Sequence, residues 1–232
     1  MVLIISVIVT YISYKYDINF NVDLTLLSIA IIFPLVFTIR GSFRRREKAL
    51  EHLSEFRSTI KTVKYFLLSN QELSDKYKHE IEEILLNINS SVLSHLEKKD
   101  STMKDLDDII HNVYQFVLDK HDDIPRQIRE KVFRFMKDMH ESIENLHAIH
   151  THRTPISLMA YCLIFIYIFP LIYAPTMINN IGVYAPEWVA YLVVVLTEFI
   201  LISLYNIQDQ LEYPFDKVGM DDINLDNFRI DR

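Results

Sequence analysis

Uncharged apolar residues in this chain are gathered into long stretches at its two ends, and no other feature constrains the fold as strongly. The stretches come in pairs. Leu24 to Ile39 lies between Asp23 and Arg40, Pro155 to about Ile178 carries no charge, and Pro186 to Ile207 carries only Glu198 beyond Glu187 at its start. Runs of this length exceed what a soluble core helix usually shows, and the last two match the ~17 to 25 residues that cross a bilayer. Met1 to Tyr14 is nearly all Val, Ile and Leu but falls short of that span. It has no basic region before it and no small-residue cleavage site after it, so no cleavable leader is expected. The expectation is an integral, multi-pass, all-α membrane protein with four transmembrane helices. Three glycines in 232 residues also argue against a turn-rich all-β protein.

Orientation follows from the basic residues beside each stretch. Arg40, Arg44, Arg45, Arg46 and Lys48 follow the second, and His152 and Arg153 precede the third, whereas Asp17 to Asp23 and Met177 to Glu187 contain no Lys or Arg. Both termini and the region between the pairs are therefore expected in the cytoplasm, with Tyr184 and Trp188 at an outer aromatic belt. The domain reading is 1–41 for the first two membrane helices, 42–154 for a cytosolic helical region, 155–207 for the second pair, and 208–232 for a cytosolic acidic segment.

The middle region reads as helices with one apolar stripe each. Leu50, Leu53, Phe56, Ile60, Val63 and Phe66 recur at three and four residues, as do Leu73, Tyr77, Ile81, Ile84, Ile88 and Val92. Leu106, Ile109, Ile110, Val113 and Val117 form a shorter stripe. Ile128, Val132, Phe135, Met139, Ile143 and Leu146 form another, beyond the breaker stretch His121 to Pro125. This is the period of amphipathic helices packed into a bundle. A net charge of -7 argues against nucleic acid as a partner. The single cysteine, Cys162, excludes an intramolecular disulfide framework.

Ile29, Phe33 and Phe37 are spaced at four. Each such step turns a helix by ~400°, so the three form one nearly straight row about 12 Å long. Lining the axis of a symmetric oligomer, each would become a ring, and the rings together a narrow, water-poor constriction. Phe edges carry partial positive charge and would favour anions. The same row is equally what a helix needs to pack against a neighbour or lipid.

The run from Ile29 through Phe33-Pro34 to Phe37, followed by Ser42-Phe43-Arg44-Arg45-Arg46-Glu47-Lys48-Ala49, resembles the second helix of bestrophins and its basic continuation. Gln210-Leu211-Glu212-Tyr213-Pro214-Phe215, with Asp221-Asp222-Ile223-Asn224-Leu225-Asp226 after it, resembles the motif that follows their fourth helix, and Thr154-Pro155-Ile156 fits the start of their third. The resemblance covers nearly the whole chain in order. It implies a homopentameric ion channel in the lipid bilayer, passing anions such as chloride through a hydrophobic neck at Ile29, Phe33 and Phe37. It also implies a cytosolic aperture near Ile124 or Ile128. Bacterial members lack calcium control and some conduct cations, which makes a cation channel the alternative.

Eukaryotic bestrophins bind calcium around the Pro-Phe motif, where Gln210, Pro214, Phe215, Asp221 and Asp222 would be the counterparts. Tyr213 stands where the family has an asparagine, and the acids come late. No cofactor is therefore expected, calcium being the one candidate. Read without the family, Asp216, Asp221 and Asp222 are hydrated carboxylates in a loop after a helix ended by Pro214.

His147, His150 and His152 form the one cluster with metal potential, but no cysteine or HExxH-type partner accompanies them, and solvated histidines are the simpler account. Glu198 is read as a neutralised carboxyl bonding a neighbouring helix. A membrane-anchored scaffold or receptor with a cytosolic bundle is the competing class. A histidine-dependent enzyme is the third, unsupported by any nucleophile motif, Gly-rich phosphate loop or paired-carboxylate pattern, and the chain is not expected to be an enzyme.

Overall fold

In the computed structural model, which describes residues 1–98, 102–182 and 186–231, helix is the only regular structure. The helices are α1 (Val2–Lys15), α2 (Thr25–Leu68), α3 (Asp75–Glu97), α4 (Lys104–Asp119), α5 (Arg126–Thr151), α6 (Ile156–Ile181) and α7 (Glu187–Leu211), followed by a 3-10 turn at Leu225–Phe228. The chain divides into two compact units. One holds Met1–Arg44 and Thr154–Glu212, the other Arg45–Arg153 and Tyr213–Arg232.

In the first unit α1 packs on α6 and α7, and α6 packs on α7. Three helices, α2, α6 and α7, contain stretches long and apolar enough to cross a membrane, whereas α1 has 14 residues and is shorter. The burial pattern of α1 is inverted relative to a water-soluble helix. Ser6, Thr10 and Ser13 face inward, while Ile4, Val7, Ile8, Tyr11 and Ile12 are exposed. The three hydroxyls donate to carbonyls four residues back, at 3.1, 2.8 and 2.9 Å. Small, self-satisfied polar groups let helix backbones approach closely where lipid removes the hydrophobic incentive, and large side chains then face the hydrocarbon. The protein is an integral membrane protein.

Glu198 and Gln208 on α7 are fully buried, and none of their side-chain nitrogen or oxygen atoms has a hydrogen-bond partner. The interhelical bond expected of Glu198 is therefore absent among the described residues. At its far end α6 stops at Gly182, whose φ of 69° suits a residue without Cβ. Trp188 is exposed in the first turn of α7, and Tyr184 lies outside the described residues.

The second unit buries the stripes read from the sequence. Leu53, Phe56, Ile60, Val63, Ile81, Ile88, Val92, Ile110, Val113, Val132, Met139, Ile143 and Leu146 belong to one core, with Leu50, Phe66, Tyr77, Ile84, Ile109, Ile128 and Phe135 packed around it. Ser74 caps α3 by accepting the Tyr77 N–H, one of the donors a helix start leaves unpaired. The breaker stretch falls between α4 and α5, where Asn70 holds the Asp123 carbonyl at 2.8 Å.

The segment after α7 is more than a hydrated acidic tail. Phe215, Ile223, Leu225 and Ile230 are buried in the same core. Asn89 accepts from the Ile230 N–H at 3.1 Å and donates to the Phe228 carbonyl at 3.2 Å, while Arg46 Nε reaches the Asp221 carbonyl at 2.8 Å. The acidic residues hid an apolar spacing that only a partner surface makes meaningful.

Candidate pore-lining row and its anchoring network

Helix α2 has 44 residues and is about 66 Å long. Within its apolar part it carries two faces. Ile31, Leu35, Thr38 and Ser42 are buried, so one side is packed. On the other side Ile29, Phe33 and Phe37 are 46%, 57% and 61% exposed, accompanied by Leu26, Ile32 and Val36. The Phe33 and Phe37 rings lie 6.0 Å apart, tilted by 45°, so they form a continuous aromatic step along the helix. The row thus stands on the surface of its own chain.

Pro34 sits inside this row. Lacking an N–H, it cannot bond the carbonyl of Ala30, which a helix interior would otherwise pair. The Tyr161 hydroxyl of α6 donates to that carbonyl at 3.3 Å, replacing the lost bond from a neighbouring helix.

At the other end of the unit, Glu212 joins three stretches of the chain in one contact. Its carboxylate accepts the Ser42 hydroxyl at 2.7 Å, the Thr154 N–H at 2.6 Å and the Thr154 hydroxyl at 2.9 Å. Glu212 is 2% exposed. A buried carboxylate is tolerable because several donors meet it and because it lies beside the first turn of α6, where the helix dipole favours negative charge. Ser42, Thr154 and Glu212 come from the three stretches that carry the family resemblance, yet nothing in the sequence singled out Glu212 as their junction. A glutamate at a helix end just before Tyr-Pro reads as ordinary surface until the helices are assembled.

No family model and no curated relative matches the chain. Solved structures do. A bacterial bestrophin homologue from Klebsiella pneumoniae superposes with a TM-score of 0.82 at 15% identity, covering 98% of this chain and 91% of that one. A point variant of that homologue gives 0.80 at 16% with the same coverage. A crystal structure described only as a membrane protein gives 0.83 at 15%, covering 98% and 91%. The fold is bestrophin-like.

On this bestrophin-like fold the remaining candidate residues fall in different places. Ile124 is buried in the core of the second unit at 1% exposure, and Ile128 is half-buried against it. Gln210 is exposed on the last turn of α7. Pro214 and Phe215 are buried, and the Pro214 carbonyl accepts the Ile223 N–H at 2.8 Å, which folds the Asp221-Asp222 stretch back beside the motif. Asp221 is exposed, but the Asp222 carboxylate is half-buried and accepts the Gly219 N–H at 2.8 Å. Burial pushes the Asp222 carboxyl up, the Gly219 amide opposes this, and the Asp216 carboxyl adds to it. Among the described residues no three His, Cys, Asp or Glu side chains converge as metal ligands would.

The histidines are not the solvated set expected. Only His152 is exposed. His147 and His150 of α5 meet His95 of α3, which is 5% exposed, with ring centroids 5.1 and 5.9 Å from that of His95. His95 Nε2 and His147 Nδ1 are hydrogen-bonded at 2.9 Å, and His150 Nε2 donates to the Lys98 carbonyl at 2.9 Å. Burial, with His147 and His150 alongside, lowers His95 to about 4. Burial also lowers His150, against the opposing bond to Lys98. His95 was missed because His147, to which it is hydrogen-bonded, lies 52 residues away in sequence.

Proposed function

We propose that this chain is one subunit of a bestrophin-type homopentameric ion channel, conducting anions such as chloride through a neck lined by Ile29, Phe33 and Phe37. The observation that carries this reading is the row itself: three large apolar side chains stand exposed on a helix whose opposite face is fully packed, in a fold shared with bestrophin homologues. Five copies of α2 about an axis would give each residue a ring, and such rings impede ions by keeping water out. Of the two aperture positions, Ile128 retains surface and is the one assigned to the cytosolic constriction.

The proposed topology has four spans, with α1 as the short first one. Residues 1–41 and 155–207 form the membrane pairs, and 42–154 and 208–232 lie in the cytoplasm with both termini. It rests on the basic cluster Arg40 to Lys48 and on outer loops free of Lys and Arg. The one native cysteine, Cys162, is buried, which leaves a quiet background for labelling. A cysteine replacing Asn179 is expected to react with an impermeant thiol reagent from outside intact cells, and one replacing Asp122 only after lysis. The reverse pattern would invert the topology.

The decisive experiment is current across a planar bilayer containing only this protein, with the reversal potential under a chloride gradient giving the sign of the permeant ion. Anion selectivity is expected, and a silent bilayer with correctly inserted protein would reject the channel. Crosslinking of the detergent-solubilised particle is expected to yield a ladder ending at five copies. A ladder ending at two would leave no axis for a neck.

A further inference from the structure

We propose that His95, His147 and His150 form an acid-operated latch, which holds the ends of α3 and α5 together with the Phe215 segment while its imidazoles are neutral and releases them on protonation. The geometry carries the idea. A hydrogen bond between two imidazoles needs a lone pair on one ring, so the 2.9 Å contact between His95 Nε2 and His147 Nδ1 survives only while at least one ring is neutral. A second proton would turn donor and acceptor into two donors and set two cations side by side around a 5%-exposed ring.

The latch has connections on both sides. His150 donates to the Lys98 carbonyl at the end of α3 and lies 6.4 Å, ring to ring, from buried Phe215. The neighbouring Glu97 pairs with Lys217 at 2.6 Å, a second tie between α3 and the segment after α7. In the sequence His150 lies four residues before Thr154, and Phe215 three after Glu212, so both held elements lead directly into apolar helices.

Charged groups on three elements lie near the cluster. From α3, Glu97 is engaged by Lys217. From α4, Asp105 lines a cavity of about 380 Å³ shared with His95. From the end of α5, Arg153 opposes protonation of His150 and is itself stacked on Tyr213 at 4.3 Å. Glu144 on α5 is exposed.

The direction follows from linkage. An unfolded or released histidine takes its proton near pH 6.5, whereas His95 in the closed cluster resists until about 4. The stabilisation is therefore whole above about pH 6.5 and is lost as the pH falls toward 4. The latch does not depend on what the protein conducts.

Hydrogen-exchange mass spectrometry on the full chain in detergent tests this, at about pH 7.5 and about pH 5, after correction for intrinsic exchange. In the wild type, peptides covering 92–98, 144–151 and 213–223 are expected to exchange about tenfold faster, or more, at the lower pH. In the double variant His95→Gln, His147→Asn, whose amides keep a donor and an acceptor but do not titrate, that acceleration is expected to vanish. Wild-type exchange that is unchanged, or that rises evenly along the whole chain, overturns the latch even if the double variant does not fold. An equal rise in a folded double variant overturns it as well.

Discussion

Alanine at Ile29, Phe33 and Phe37 together is expected to raise the current per reconstituted channel by at least about tenfold while leaving the protein assembled. The three side chains are about half exposed and none belongs to a buried core, so truncating them removes bulk without opening an interior cavity. In a neck, that lost bulk widens and hydrates the narrowest part of the path and lowers the barrier to ions. The competing account, in which the row is buried against another subunit's helix, gives the opposite result. Each large-to-small change would then cost on the order of 2 to 5 kcal/mol, and yield and assembly would collapse. Current per channel and the assembled fraction, measured on one preparation, separate the two. An assembled triple variant with unchanged conductance would refute the neck.

Glu212→Ala is expected to be the most damaging single substitution near the membrane helices, lowering stability by on the order of 3 kcal/mol. It leaves the Ser42 hydroxyl and both Thr154 donors facing a void, in a place where Glu212 itself is 2% exposed and water has poor access. Glu212→Gln keeps one acceptor oxygen for the Thr154 N–H and can donate to a hydroxyl, so its loss should be clearly smaller. Thermal melting of the detergent-solubilised protein reads both. If Glu212→Ala melts at the wild-type temperature, the carboxylate is not what ties α2, α6 and α7 together at this end.

The sequence by itself determined the helical membrane character of the chain and the stripes of its larger core, because both are local and periodic. A run such as Leu24 to Ile39 declares its solvent by composition, and a stripe such as Leu53, Phe56, Ile60 and Val63 declares its buried face by spacing. The exposed state of Ile29, Phe33 and Phe37 was not legible, since a pore-facing row and a packed row have the same spacing. Only the placement of Ile31, Leu35, Thr38 and Ser42 on the buried side leaves the row exposed on its own chain. Pairings across long separations were equally hidden. Ser42 and Glu212 lie 170 residues apart, and His95 and His147 lie 52 apart. A hydroxyl, a carboxylate or an imidazole reads as surface polarity until tertiary structure removes the water around it. Once water is gone, each polar group must find a partner within about 3 Å, and which groups meet is decided by helix packing rather than by any local property of the chain.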